Sequence, residues 1–246
     1  MYDRLAQEYD RMTRFRERLQ TEGVLLEPWV RDFGLTTVLD AACGTGLHSI
    51  VLAKMGVRVT GTDLSVNMLA LARTHAKKQN VKVRFVRAGF GHVYRKVRGP
   101  FDAVLCLGNS LPHLRTPAEL TQALRDFHHL LRPGGLLLIQ LLNYERILKR
   151  KERLIGVRAD KELTFVRFYD FLEEKVRFNV LTLRNNGNAI PSSLRSTELF
   201  PYRKRNLLPA LKKAGFVRFG FFGSLDRKPW SSEESADLVI ACRKPE

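Results

Sequence analysis

The chain is poor in cysteine, in long apolar runs and, over one stretch, in acid. Its three cysteines, Cys43, Cys106 and Cys242, are scattered through 246 residues with no C-x-x-C pair. Neither a disulfide framework nor a zinc site follows from that spacing, and no metal is expected. Cys106 sits in an apolar run and reads as a small core residue. Runs such as Leu136–Leu142 fall far short of the ~20 residues that cross a bilayer, so no membrane partner is expected. The amino-terminal MYDRLAQEYDRM is charged, unlike a signal peptide. These absences together predict a cytoplasmic chain in a reducing compartment.

Acid is missing between Leu64 and Phe101. That interval carries Arg73, Lys77, Lys78, Lys82, Arg84, Arg87, Arg95, Lys96 and Arg98 and neither Asp nor Glu. Further basic clusters sit at Arg146–Arg153 and Arg203–Arg205, and the formal net charge is +17. A field of this sign attracts RNA, anionic lipid or phosphorylated small molecules. It is equally the mark of a solvated surface that happens to use Lys and Arg.

What is present is organised around Val38–Asp63, VLDAACGTGLHSIVLAKMGVRVTGTD. Val38-Leu39 is a short apolar run ending at Asp40. Gly44-Thr45-Gly46 then demands a tight turn, since glycine takes positive φ without a Cβ clash. Leu47, Ile50, Val51 and Met55 keep a helical period, and Gly56 stops it. Val57–Thr60 alternates as a strand and delivers Asp63 at its carboxyl end. This is half of a doubly wound nucleotide-binding fold, with ligand at the carboxyl ends of the strands. Ser49 stands where a dinucleotide G-x-G-x-x-G pattern wants its third glycine, which disfavours a nicotinamide cofactor.

The stretch DAACGTG resembles the first motif of class I S-adenosylmethionine-dependent methyltransferases, in particular the glycine N-methyltransferase-like group. Phe101–Leu114 (FDAVLCLGNSLPHL) and Leu131–Glu145 (LRPGGLLLIQLLNYE) match later motifs in order. The resemblance implies an α/β, doubly wound, Rossmann-like and mostly parallel seven-stranded sheet, with S-adenosyl-L-methionine as cofactor. The implied activity is methyl transfer to a small-molecule acceptor, at an amine nitrogen. RNA methylation, using the basic surface, is the alternative.

The rest of the chain fits around that core. Residues 1–34 read as a lid segment and helix, 35–143 as the cofactor-binding core and 204–246 as a last helix and closing hairpin. Ser65 caps a helix with Met68, Leu69 and Ala72 inside. Val81–Val86 reads as strand three, Thr116–Glu119 as a capped helix start, Arg132–Gly135 as a turn and Leu136–Leu141 as strand five. Leu163–Leu172, Lys175–Leu183 and Ser193–Phe200 alternate apolar and polar, broken at Asn185–Asn188. They predict an inserted antiparallel β-subdomain after strand five, over residues 144–203.

The resemblance also assigns residues. Tyr2 and Tyr9 would line the methyl-donor end, and Arg16 of Thr13-Arg14-Phe15-Arg16 would pair with the methionine carboxylate, with Arg18 as the alternative. Asp40, Ala42, Gly44 and Gly46 would pass beside the methionine end, and Asp63, followed by Leu64, would accept from both ribose hydroxyls. Ala88, Gly89 and Phe90 would hold adenine through backbone and apolar contact, since the acid that many relatives place at Gly89 is missing. Leu107 and His113 would touch the cofactor, and Asn109 would face the substrate. Asn109, His113 and Tyr9 are the catalytic candidates, with Tyr144 nearby. One departure matters: Leu142 stands where glycine N-methyltransferase carries the arginine for the glycine carboxylate, so a different acceptor is expected.

Overall fold

The computed structural model describes residues 2–184 and 192–246, without the side chains of residues 2–5 and 7. The expected break at Asn185–Asn188 therefore lies outside the described residues. In chain order the elements are α1 Tyr2–Thr13, α2 Phe15–Asp32, β1 Thr37–Ala41, α3 Leu47–Lys54, β2 Arg58–Asp63, α4 Val66–Lys78, β3 Val83–Arg87 and α5 Val93–Lys96. Next come β4 Phe101–Cys106, α6 Pro117–Leu130, β5 Leu131–Leu142, α7 Tyr144–Arg150, β6 Leu154–Ala159, β7 Leu163–Phe171, β8 Val176–Arg184 and β9 Ser192–Leu199. The chain ends with α8 Lys204–Lys213, β10 Val217–Phe222 and β11 Asp237–Arg243.

Seven strands form one sheet in the order β10-β11-β5-β4-β1-β2-β3. The pairs β1–β2, β1–β4, β2–β3 and β4–β5 are parallel, and β11 runs antiparallel to both β5 and β10. Strands β6 to β9 form a separate antiparallel sheet in sequence order. The central strands are apolar on both faces, as strands covered by helices on two sides must be. Leu39, Val104, Leu137 and Ile139 pack with Phe127 of α6 on one face, and Val38, Leu105 and Leu138 pack with Leu26 and Trp29 of α2 on the other. The chain order reverses between β1 and β4, which opens a crevice at their carboxyl ends.

Several elements differ from expectation for identifiable reasons. The amino-terminal segment is two helices, broken at Arg14, whose φ of 58° and ψ of 49° cannot continue a right-handed helix. Strand β3 starts and ends later than Val81–Val86, taking Arg87 into its pairing with Asp63. Arg132–Gly135 is a bulge inside β5, because Phe101 pairs with Leu131 and Ala103 with Leu136. The antiparallel sheet gains β6, whose Leu154–Ala159 stretch alternates too weakly to stand out, and α7 precedes it.

Asp102 ties the amino-terminal ends of β1, β4 and β5 together. It accepts from the backbone N–H of Thr36 and Thr37, from both hydroxyls and from Arg132 at 2.6 Å. Burial pushes its carboxyl up, but these donors outweigh it and hold it well below the usual carboxylate range. Such a carboxylate stabilises the fold at neutral pH, and the gain is lost as pH falls through the native value. Asp102→Ala is expected to cost about 2 kcal/mol at neutral pH in urea unfolding, a penalty that shrinks below about pH 3.9. A cost that does not change with pH contradicts this account.

Candidate functional site

The crevice is built from the turn that follows β1. Ala42 and Gly44 take φ of 59° and 56°, and Gly46 takes 86° before α3 begins. Cys43 N–H donates to the Thr62 carbonyl at 2.8 Å, holding the turn against the end of β2. Asp63 fixes it further, since one carboxylate oxygen accepts from Gly44 N–H at 2.9 Å and the other from Ser65 N–H at 2.8 Å. Ser65 in turn accepts from Met68 N–H and caps α4. One acid thus joins the glycine turn, the end of β2 and the start of α4.

A cavity of about 260 Å³ opens beside this junction. Ala42, Gly44, Thr62, Asp63 and Leu64 form one wall, and Ala88, Gly89 and Phe90 after β3 form the next. Asn109 and His113 close the β4 side, and Tyr9 of α1 closes the top. A smaller compartment shares Tyr9, Ala42 and Gly44 and adds Arg18, His48 and Leu107. A Cβ on Gly44 meets nothing within 4 Å, so this turn leaves open space on its cavity side. The carboxylate, the bare turn and the apolar wall of Met68, Phe90 and Val93 fit a nucleoside joined to an amino acid.

The placement of the remaining expected residues is mixed. Arg16 is exposed and lines a groove with Arg11, His75 and Arg158, whereas Arg18 faces the smaller compartment. Residues two apart on a helix point about 200° from each other. With Phe15 and Glu22 buried, the inner face takes Arg18 and turns Arg16 outward. Arg16 therefore lines neither compartment, and Arg18, the alternative, lines the smaller one. Asp40 is 1% exposed beneath the turn, where burial raises its carboxyl and Ser49 donates to it at 2.6 Å, so it lines neither compartment. Gly46 faces inward as well; a Cβ there would lie 3.0 Å from the Ala72 Cβ. The side chain of Tyr2 lies outside the described set.

Asn109 lines the cavity, but its amide is committed. It accepts from Leu142 N–H at 3.1 Å and donates to the Tyr144 hydroxyl at 3.0 Å. Asn109 thereby braces the β4 loop against β5 and α7, with φ of 64°. Tyr144 is 1% exposed and lines neither compartment. His113 sits in the single turn Leu111–His113, where burial and then the Arg115 charge push it down to about 4. It is therefore neutral at physiological pH. Thr62, Met68, Val93, Gly108 and Ser110 also line the cavity; of these Met68 read as the inside of a helix. His48 of α3 is buried. In the smaller compartment its Nε2 lies 3.6 Å from Glu22, and burial of that carboxyl is outweighed by His48 and Arg18, which hold it at about 2.

Helix α1 is fastened over the site from two sides. Glu8 pairs with Arg184 and Arg195, and Arg11 with Asp160 and Glu162, all on or beside the antiparallel sheet. On the other side, His75 of α4 reaches the Thr45 carbonyl with Nδ1 and the Asp10 carboxylate with Nε2, each at 3.0 Å. Both partners are acceptors, and only the protonated ring can donate to both at once. Burial lowers its pKa, but the Asp10 and Thr45 bonds raise it further, leaving a net rise.

This arrangement is that of the class I S-adenosylmethionine-dependent methyltransferases: a glycine turn after β1, an acid ending β2 and a mostly parallel seven-stranded sheet. Residues 38–135 match the family model for a methyltransferase domain, and the chain carries a domain of that family whose cofactor is S-adenosylmethionine. The sequence is 36% identical over 141 residues to a glycine/sarcosine N-methyltransferase of Parasynechococcus marenigrum, covering 57% of this chain and 50% of that protein. It is 36% identical over 233 residues to a glycine/sarcosine/dimethylglycine N-methyltransferase of Actinopolyspora halophila, covering 94% of this chain and 40% of that one. The chain thus spans half or less of the length of these relatives. A crystal structure of an S-adenosylmethionine-dependent methyltransferase from Clostridium acetobutylicum superposes with a TM-score of 0.82 at 17% identity, covering 100% of this chain and 99% of that one.

The His75 contact has a pH signature. A raised folded-state pKa adds stability that is complete below the unfolded value of about 6.5 and is lost as pH rises through the folded value. The urea midpoint of the wild type should exceed that of His75→Ala most at pH 6, with the gap narrowing as pH rises. A gap that stays constant contradicts a protonated ring.

Proposed function

We propose that this chain transfers the methyl group of S-adenosylmethionine to a small-molecule acceptor, at an amine nitrogen. The observation that carries the reading is the closure of the cavity. Tyr9 caps the cofactor wall, and α1 is held down by ion pairs to the antiparallel sheet, which suits a small acceptor better than a macromolecule. The naming of the similar proteins as glycine/sarcosine N-methyltransferases supports nitrogen as the atom methylated.

S-adenosylmethionine, when bound, supplies an electrophilic methyl on a sulfonium with a neutral thioether as leaving group. Asp63 would accept from the ribose hydroxyls, Arg18 would meet the carboxylate, and Ala88–Phe90 with Met68 and Val93 would enclose adenine. Alignment and exclusion of water are what the protein must add. Neutral His113 accepts a hydrogen bond from the nucleophile N–H without placing a second cation beside the sulfonium. Asn109 acts as a positioning residue, holding the loop on which His113 stands.

The acceptor's own anchor differs from that of the resembling group. Leu142 offers no charge, and Arg146 is committed to Glu152 at 3.1 Å and to the carbonyls of Glu234 and Ser235. Arg167 on β7 is half-buried, makes no hydrogen bond or ion pair among the described residues and lies within electrostatic reach of Tyr9 and Tyr169. Without a dedicated fork, glycine should be a poor acceptor, with kcat/KM about a hundredfold below that of the preferred amine.

Labelled methyl from S-adenosylmethionine should enter a size-filtered small-molecule extract and not total RNA. Label in RNA that disappears at high salt contradicts the reading. Robust glycine turnover, abolished by Arg167→Ala, would show that Arg167 has taken over the anchor.

A further inference from the structure

Part of the acid-free interval, joined by Arg58 of β2, becomes one surface in the fold. Arg58, Arg73, Lys77, Lys82 and Arg84 line a groove of about 560 Å³ between α4 and β3, with no Asp or Glu in its lining. All five are exposed. Among the described residues, none of the five makes an ion pair, and the other interval cations Lys78, Arg87, Arg95, Lys96 and Arg98 make none either. Many of the cations on and beside the antiparallel sheet behave oppositely. Arg146, Lys149, Arg150, Arg153, Arg158, Lys175, Arg184 and Arg195 are each matched to an acid. The groove is therefore an acid-free patch of cations without ion pairs, set apart from the matched charges around the antiparallel sheet.

The fold explains why this surface is open. β3 is the edge strand, and α4 covers one of its faces. The crossover from β3 to β4 carries only the four-residue α5, which packs on α6 and leaves the outer face of β3 bare. Lys82, just before that strand, and Arg84 on it lie about 7 Å apart along the chain. Arg73 and Lys77 form a second row on α4 about 6 Å apart. Edge-strand charges also deter sheet-to-sheet association. That role does not require a second cationic row on the facing helix.

We infer that this groove is a binding surface for the phosphodiester backbone of a nucleic acid strand, separate from the methyl-transfer site. Five exposed cations with no acid among them match a linear polyanion, whose release of counterions supplies the affinity. A lipid surface is the weaker match, because none of the exposed large apolar residues, Leu64 and Val66 included, lines the groove to insert into a bilayer. A strand held there is not the substrate. The groove uses the start of β2 and β3, while the cavity lies at their carboxyl ends, about 17 Å further along the strands. The surface is thus independent of which acceptor is methylated.

The test is fluorescence anisotropy of a labelled single-stranded RNA of about 16 nucleotides on the full chain, between about 50 and 200 mM salt. Lys77→Glu/Lys82→Glu/Arg84→Glu is compared with Lys161→Glu/Lys212→Glu/Lys213→Glu, which changes net charge equally elsewhere. The groove variant should bind at least tenfold more weakly, with a log–log salt slope shallower by about 2, while S-adenosylmethionine affinity is unchanged. The distal variant should lose less than threefold. Undetectable RNA binding by the wild type, equal losses in both variants, or tighter binding to anionic phosphatidylserine vesicles than to RNA would each overturn the proposal. If circular dichroism shows the groove variant unfolded, Lys82→Gln/Arg84→Gln replaces it, with at least a threefold loss expected and an unchanged affinity overturning the proposal.

Discussion

The site depends on one carboxylate. Asp63 spends one oxygen on the glycine turn and the other on the cap of α4, so three elements distant in sequence meet at a fixed geometry. The turn carries positive φ at Ala42, Gly44 and Gly46, a conformation that costs free energy unless the surroundings over-determine it. The Asp63 bond to Gly44 and the Cys43 bond to Thr62 provide that restraint. An acid that braces a loop while facing a cavity is held ready for a ligand's donors, with little reorganisation left for binding.

Around this fixed floor the upper wall is fastened by charge. Helix α1 meets the antiparallel sheet through Glu8 and Arg11 and meets α4 through Asp10 and His75, while Met12 packs with Leu163, Phe165 and Val180. These contacts join elements that the parallel core alone does not hold. The exposed pairs are individually weak, so the apolar contact of Met12 and the half-buried His75 contact carry more of the closure.

The parts legible in the sequence were those whose signals are local. The glycine turn, the acid at the end of β2, the Ser65 cap and the Thr116–Glu119 capping box each state their structure within four residues. Expectations failed where the answer depended on distant packing. Arg16 and Arg18 look interchangeable until the break at Arg14 and the buried Phe15 set the rotation of α2. Asp40 and Gly46 sit inside the motif but face the core, a direction decided by Ala72 and Ser49. Strand β6 pairs only with β7 and is exposed along much of its length, so its pattern was faint. The basic interval was plain as composition, yet only the fold shows that its charges lack ion pairs while many of those around the antiparallel sheet have them.

The central claim is that Asp63 both shapes the turn and receives the cofactor. Calorimetric titration of S-adenosylmethionine into the wild type, Asp63→Ala and Asp63→Asn tests it most directly. Loss of two charge-assisted bonds should weaken binding by about a hundredfold or more in Asp63→Ala, and less in Asp63→Asn, whose amide keeps one acceptor. Binding by folded Asp63→Ala within a few fold of the wild type would contradict the account.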